Sequence, residues 1–396
     1  MNSSDLIMTK VKKLLIDGPS TRIALAVIIA VWVLVQIVFY FLYGGIHPAN
    51  DTERYMGAAM DILAGQPVEG KVANYPGYNA FIALTMFFGG GSTSIVLFQM
   101  FVSLVAAVTV WKIGALIFGN ASGFIAALAF AAYPTLQQWN FYILTESLFI
   151  SLLIISIYVS ITARTWPHFI VATCIVLFTV TIRPNGFIVL IAVLAYMAHV
   201  LWIRDKKVYL VILIIFSAAI AIFAFNTIDD MASQETILTF YEEGVVIYDY
   251  QSTKENIAFH ATTCRVVDST VGQIFCFFKT HPLTTLNLII SRFGSFILHV
   301  RPYWSDFHNI FSLVTLIPIY FLAITSFFGA KSQNPEVWLL ATVFFLQATI
   351  VSFTIADWDG RFLDVVLTPI IILASGGLFS IVRKIMRQLT RSKENI

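Results

Sequence analysis

Charge is what this chain has least of. Lysine, arginine, aspartate and glutamate make up 12% of 396 residues, about half the share of an ordinary soluble domain. With 58% hydrophobic residues and a mean hydropathy of +0.83, the chain cannot clothe a water-facing globule and reads as an integral membrane protein. Cysteine is scarce too: three residues exclude a disulfide scaffold. Cys174 lies in an apolar run as a small core residue. Cys264 and Cys276 share one hydrophilic loop, where they form either one bridge in an oxidising compartment or two separate thiols. No glycine-rich phosphate loop, zinc-type Cys/His spacing or basic block interleaved with aromatics occurs, so no nucleic-acid partner is expected. Strands alternating apolar and polar residues are missing as well, which argues against an outer-membrane barrel.

Long apolar runs are what the chain does have. A helix needs roughly 20 apolar residues to cross a bilayer. The sequence predicts an all-α integral membrane protein of about ten transmembrane helices, at 23–43, 94–117, 121–136, 146–164, 168–183, 186–203, 208–226, 309–328, 337–356 and 363–382. Residues 75–88 are too short for a crossing and suit an interfacial or re-entrant helix. The run 282–300 is long enough, but Arg292 sits in its middle.

Charge bias settles the orientation. With the N-terminus inside and both doubtful stretches outside, 15 of the 24 basic residues fall on short cytoplasmic connections and two tails. The outer side then keeps 17 of the 22 acids. The N-terminus resembles an uncleaved signal-anchor. Three blocks follow: 1–226, a membrane module whose first outer loop is 44–93; 227–308, a large extracytoplasmic loop; and 309–396, membrane helices with a basic cytoplasmic tail. The cytoplasmic connections are too short for a nucleotide-binding domain, so any chemistry belongs on the outer face.

The first outer loop opens with "GGIHPANDTERYMGAAMDILAGQ" (44–66). Asn50 and Glu53 have capping-box spacing, and the helix they start should stop near Gly65. On it Asp51, Arg54 and Tyr55 fall at i, i+3 and i+4, with Met56, Ala59, Ile62 and Leu63 as the apolar side. Asp51 is either a functional carboxylate or a complement to a helix N-terminus. Glu146, in "YPTLQQWNFYILTESLF", stands at the outer mouth of a span, as a working acid or an exposed first-turn residue. Arg183, in "TIRPNG", either snorkels at the interface or meets a lipid phosphate.

The first span, "NDTERYMGAAMDILAG", "NYPGYNAF", "YPTLQQWNFYILTESLF", "RPNG" and a late "DWDGRFLDVVLTPIIILASGGL" together resemble the GT-C superfamily of polytopic glycosyltransferases. That group includes protein O-mannosyltransferases, aminoarabinose transferases of lipid A and bacterial transferases that modify surface polysaccharides such as O-antigen. The resemblance covers roughly residues 20–200 and 355–380; the loop 227–308 matches nothing in it. It implies a polyprenyl-phosphate sugar donor, an acceptor hydroxyl on a glycan, lipid or protein, and a catalytic acid in the first outer loop, which maps onto Asp51. Arg54, Tyr55 and Tyr75 lie nearby as phosphate or substrate contacts, and a second acid maps onto Glu146. Some relatives hold a divalent metal between such acids and others do without one, so no cofactor is certain.

On that basis Asp51 is the leading base, and Glu146 a metal ligand, an orienter of the acceptor or an alternative base. Arg54, Arg183 and Arg301 are the candidate phosphate contacts. Asp357, Asp359 and Arg361 are expected to pair and cap the last helix. Tryptophans and tyrosines are assigned to interfacial belts, and no histidines pair at metal-ligand spacing. The expected setting is a bacterial inner membrane, both termini cytoplasmic. The competing readings are a flippase or transporter for lipid-linked sugars, and a polysaccharide polymerase or ligase. A flippase needs polar side chains along a path inside the bilayer, and the spans carry almost none at mid-depth.

Overall fold

The computed structural model describes residues 17–47, 49, 51–215, 217–218, 237–248, 250, 264, 269–329 and 333–394. Asn50, half of the expected capping box, lies outside them, as do most of 219–268 and the end of the expected span 208–226. The described residues are helical apart from turns and isolated bridges. In chain order the principal helices are α1 (Thr21–Tyr43), α2 (Thr52–Leu63), α3 (Pro76–Phe87), α4 (Ser92–Phe118), α5 (Asn120–Ala132), α6 (Thr145–Thr162) and α7 (Trp166–Ile182). They continue with α8 (Phe187–Ile203), α9 (Ile237–Glu242), α10 (Thr270–Thr280), α11 (Pro282–Leu298), α12 (Asp306–Phe327), α13 (Pro335–Phe353) and α14 (Arg361–Glu394).

Seven helical segments among the described residues are long and apolar enough to cross a bilayer: α1, α4, α6, α8 with the turn before it, α12, α13 and the first 26 residues of α14. The expected crossings at 121–136 and 168–183 come out shorter. The first ends at Ala132, two residues before Pro134, because proline disfavours helix in the residue preceding it. At 13 residues α5 spans about 20 Å, less than a hydrocarbon core. α7, at 17 residues, reaches about 26 Å. α3, with 12 residues, is too short to cross, as its sequence predicts.

The chain divides into two compact units. The first comprises 1–193, 317–342 and 365–396, and the second 194–316 and 343–364, a division that cuts across the linear blocks. In the first unit α4 and α5 form a tight hairpin. A Cβ on Gly114 would lie 2.6 Å from Gly123 Cα, so the two backbones touch where only glycine fits. α14 seats against this hairpin through a Ser122–Ser375 hydroxyl contact of 2.9 Å and the Phe118 ring over Gly376. α6 packs on α4 and α7, and α3 packs on α2 and α7.

A buried polar cluster ties α1 to its neighbours. Gln36 donates to Gln137 (3.0 Å), and Asn140 donates to Gln36 (3.1 Å), Gln137 (3.1 Å) and Ser103 (3.2 Å). Ser147 donates to Asn140 at 2.6 Å, and Trp32 to Ser103 at 3.3 Å. These side chains satisfy one another, so the unit carries more interior polarity than its sequence announces.

In the second unit a small core of Ile237, Tyr241, Cys264, Phe277 and Leu288 encloses a disulfide between Cys264 and Cys276, whose Cα atoms are 5.6 Å apart. Arg292 on α11 is fully buried. Its Nε and Nη2 donate to Val245 O (3.0 and 2.8 Å), Nη2 also reaches Phe240 O (3.1 Å), and the guanidinium lies 4.5 Å from the centre of the Tyr241 ring. Burial pushes it down to about 10 from its ordinary value. The charge in the middle of this apolar run is thus a staple for a folded loop.

Candidate active site

Two loops meet at one end of the first unit. His47 N–H donates to Phe141 O (2.9 Å) in a parallel bridge that pairs His47 with Tyr142, and Thr52 Oγ1 donates to Ile143 O (3.3 Å). This zips the segment before α2 onto the segment before α6. Asp51 at the head of α2 and Glu146 in the first turn of α6 therefore share one end of the unit.

Asp51 occupies the N-cap position of α2, but its side chain makes no cap bond. Its Oδ1 instead accepts from Arg54 Nη1 at 3.0 Å. The face buried by α2 is Tyr55, Ala58 and Ala59. Tyr55 thus leaves the polar face and joins the buried one, while Ile62 and Leu63, assigned to the apolar side, are exposed. The physical reason is aromatic packing: the Tyr55 ring meets Tyr75 edge-on at 5.3 Å and Tyr78 edge-on at 5.0 Å.

Glu146 is 2% exposed, which sets aside an exposed first-turn acid. Its Oε1 accepts from Arg183 Nη1 at 3.1 Å, with both side chains below a tenth exposed. Arg183 follows the last turn of α7 in extended backbone, with Pro184–Gly186 turning the chain into α8. It points inward to the carboxylate and over the Phe149 ring, at 5.9 Å, rather than snorkelling outward.

Tyr55 links the two halves. Its phenol is raised far above its ordinary value, chiefly by burial; Tyr75, Glu146 and Asp51 add to the shift and Arg183 opposes it. Both acids and the buried arginine therefore lie within electrostatic reach of this one hydroxyl. The sequence reading missed Tyr78, which backs Tyr55 and is fully buried. Its hydroxyl donates to Gln99 Oε1 (2.8 Å), whose amide donates to Tyr142 O (2.9 Å). Gln99, polar in the middle of an apolar helix, was the available signal.

In the same unit α3, α4, α6 and α7 enclose a cavity of about 460 Å³ lined only by apolar side chains, among them Leu148 and Leu152 of α6, Phe178 of α7 and Phe81 of α3. Leu148 stands two residues from Glu146, and Phe178 five from Arg183. As for a metal, each acid faces a guanidinium, and among the described residues no three His, Cys, Asp or Glu side chains gather to hold an ion. The donor set does not fit a divalent cation.

Arg301 belongs to the second unit. Its guanidinium donates to three backbone carbonyls, of Asp357 (3.1 and 2.8 Å), Ser295 (2.7 Å) and Val300 (3.1 Å). Those bonds fix loops. Asp359 and Arg361 pair at 2.9 Å.

The family model for dolichyl-phosphate-mannose-protein mannosyltransferase matches residues 73–224. The match takes in Tyr75, Tyr78, Glu146 and Arg183 and stops short of Asp51, Arg54 and Tyr55. No curated protein matches the chain. With its apolar spanning helices, the chain is an integral membrane protein, and residues 73–224 match a mannosyltransferase domain of the GT-C superfamily, which supports, at this coarse level, a membrane glycosyltransferase.

Proposed function

We propose that the protein moves a sugar from a polyprenyl-phosphate donor to an acceptor hydroxyl at the extracytoplasmic face of the membrane. The observation that carries this reading is the buried Glu146–Arg183 pair, which together with Asp51 acts on the buried Tyr55 hydroxyl, in a unit that also encloses an apolar cavity. A lipid-linked sugar presents the matching sequence of chemistry: a polar ring, a phosphate and a hydrocarbon tail. The tail fits the cavity between α3, α4, α6 and α7. The basic connections on the opposite side, and a disulfide in the loop assigned outside, support an outward-facing site.

In this reading Asp51, partly exposed and paired with Arg54, takes the proton of the acceptor hydroxyl. The acceptor oxygen attacks the anomeric carbon, the bond from that carbon to the phosphate oxygen breaks, and the phosphate leaves with the electron pair. Positive charge gathers on the sugar in the transition state. Arg183 and Arg54 stabilise the departing phosphate. Glu146, with its carboxylate committed to Arg183, positions that guanidinium and is not the base. Tyr55 and Tyr75 bound the sugar pocket.

The test is transfer in proteoliposomes supplied with radiolabelled polyprenyl-phosphate mannose and an outer-surface glycan. Asp51→Asn should lower transfer by about 10²–10⁴-fold while donor binding persists. Transfer unchanged in Asp51→Asn removes the base assignment and favours the polymerase or ligase reading.

A further inference from the structure

We propose that three loop segments of the second unit, around Tyr248, Tyr303 and Trp358, form a binding surface for the pyranose rings of a neutral glycan. This extends the transferase reading by naming a carbohydrate as the acceptor, and it is tested by binding alone, without donor or transfer.

The three segments are knit together by backbone. Tyr248 N–H donates to Ala356 O at 2.8 Å, and Ala356 N–H to Val246 O at 3.1 Å. Arg301 clamps Asp357 O with two of its donors. Asn309 closes the same turn from the other side, its amide donating to Arg301 O (2.9 Å) and its carbonyl accepting from Arg301 N–H (3.0 Å). The Tyr303 hydroxyl donates to Trp358 O, and its ring meets that of Tyr250 at 5.1 Å. On this fixed frame three rings stand outward: Tyr248 is 44% exposed, Tyr303 40% and Trp358 49%. Exposed rings held in place are preorganised contact area with little entropy left to lose.

The polar groups between them choose the ligand. Arg301 is committed to carbonyls and Arg361 to Asp359, at 2.9 Å. Burial lowers His299 to about 4, so it carries no charge at neutral pH. Asp357 Oδ2 is buried with no donor, an arrangement native folds tolerate where a ligand or water donor reaches the group. His299 takes a left-handed backbone, φ +53°, as the C-cap of α11. Its ring occupies the space that a Cβ on Gly360 would need.

Aromatic faces carry partial negative charge and attract the C–H edge of a sugar ring, while carboxylates accept its hydroxyls. A phosphate-bearing headgroup would seek free cations and would be repelled by Asp357 and Asp359. The surface therefore fits a neutral polyol better than a lipid headgroup.

The experiment uses the full chain in phosphatidylcholine nanodiscs and three neutral probes, the tetrasaccharides of α-mannose, α-glucose and β-glucose. Saturation-transfer NMR should detect binding of at least one. Trp358→Ala and Tyr248→Ala should each weaken it by about fivefold or more. A second measurement, Trp358 fluorescence from the difference between wild type and Trp358→Phe, should be insensitive to lipids brominated in the acyl chain. No binding of any probe, equal binding by both variants, or strong quenching of Trp358 by brominated chains would overturn the assignment.

Discussion

Replacing Arg183 by methionine should damage the protein more than replacing both Arg183 and its partner Glu146. The two charges are 3.1 Å apart and nearly solvent-free. At an effective dielectric near 20 their attraction is about 5 kcal/mol, and withdrawing each ion from water costs several kcal/mol. The two terms nearly cancel, so the intact pair contributes little net stability. Arg183→Met destroys the balance by taking the compensating charge from a buried carboxylate, at a cost of about 3–5 kcal/mol. Glu146→Gln keeps an oxygen facing the guanidinium and should cost less, about 1–3 kcal/mol. The double variant Glu146→Gln/Arg183→Met removes both charges and should recover most of the loss. Unfolding by SDS titration of the purified protein in mixed micelles reads all four states of the cycle. Transfer, assayed in parallel, should stay lost in the double variant, because the phosphate contact is gone whatever the stability. Additive single losses, each under about 1 kcal/mol, would mean that the charges are not coupled, and the account of the buried pair would fall.

Three further outcomes follow from other contacts. A Cβ at Gly77 would sit 2.2 Å from Thr181 Oγ1, so Gly77→Ala should push α3 off α7 and cost about 1–3 kcal/mol, with partial rescue by Thr181→Ala; equal unfolding midpoints for Gly77→Ala and wild type would refute the contact. Replacing Cys264 and Cys276 by serine should loosen the second unit by about 3 kcal/mol, read as faster proteolysis between residues 264 and 276; free thiols on the protein isolated from cells under alkylation would contradict the bridge. His299, held near 4 by burial and by Arg301 and His308 against the opposing Asp357, binds its proton in the unfolded chain first. Its neutral form therefore keeps full stability above pH 6.5, and about 3 kcal/mol is lost as pH falls from 6.5 towards 4; a His299→Gln chain with the same acid slope would rule this out.

The sequence made single side chains legible and left their partners hidden. Asp51 and Arg54 stand three apart on a helix, so their pairing could be read from periodicity. Glu146 and Arg183 were each conspicuous as charges bordering apolar runs. Their meeting was not, because they stand 37 positions apart across two packed helices whose register only tertiary structure fixes. Tyr55 was placed on the polar face because its neighbours Tyr75 and Tyr78 come from the start of α3 and the residue before it. The same holds for Arg292 and Arg301: a charge in an apolar or aromatic stretch is visible, whereas the backbone carbonyls that absorb it are not. Helix lengths were overestimated at 121–136 since hydropathy alone ignores what Pro134 does to the residues before it.

Gln36 has a consequence for how the chain is made. Its side-chain partners, Gln137 and Asn140, are encoded 101 and 104 residues later. During synthesis the first membrane helix must therefore wait, with an amide in hydrocarbon, until the second loop has emerged and folded back. Assembly of this end of the protein is thus timed by its own polar chemistry, and Gln36→Leu should release the first helix from that dependence.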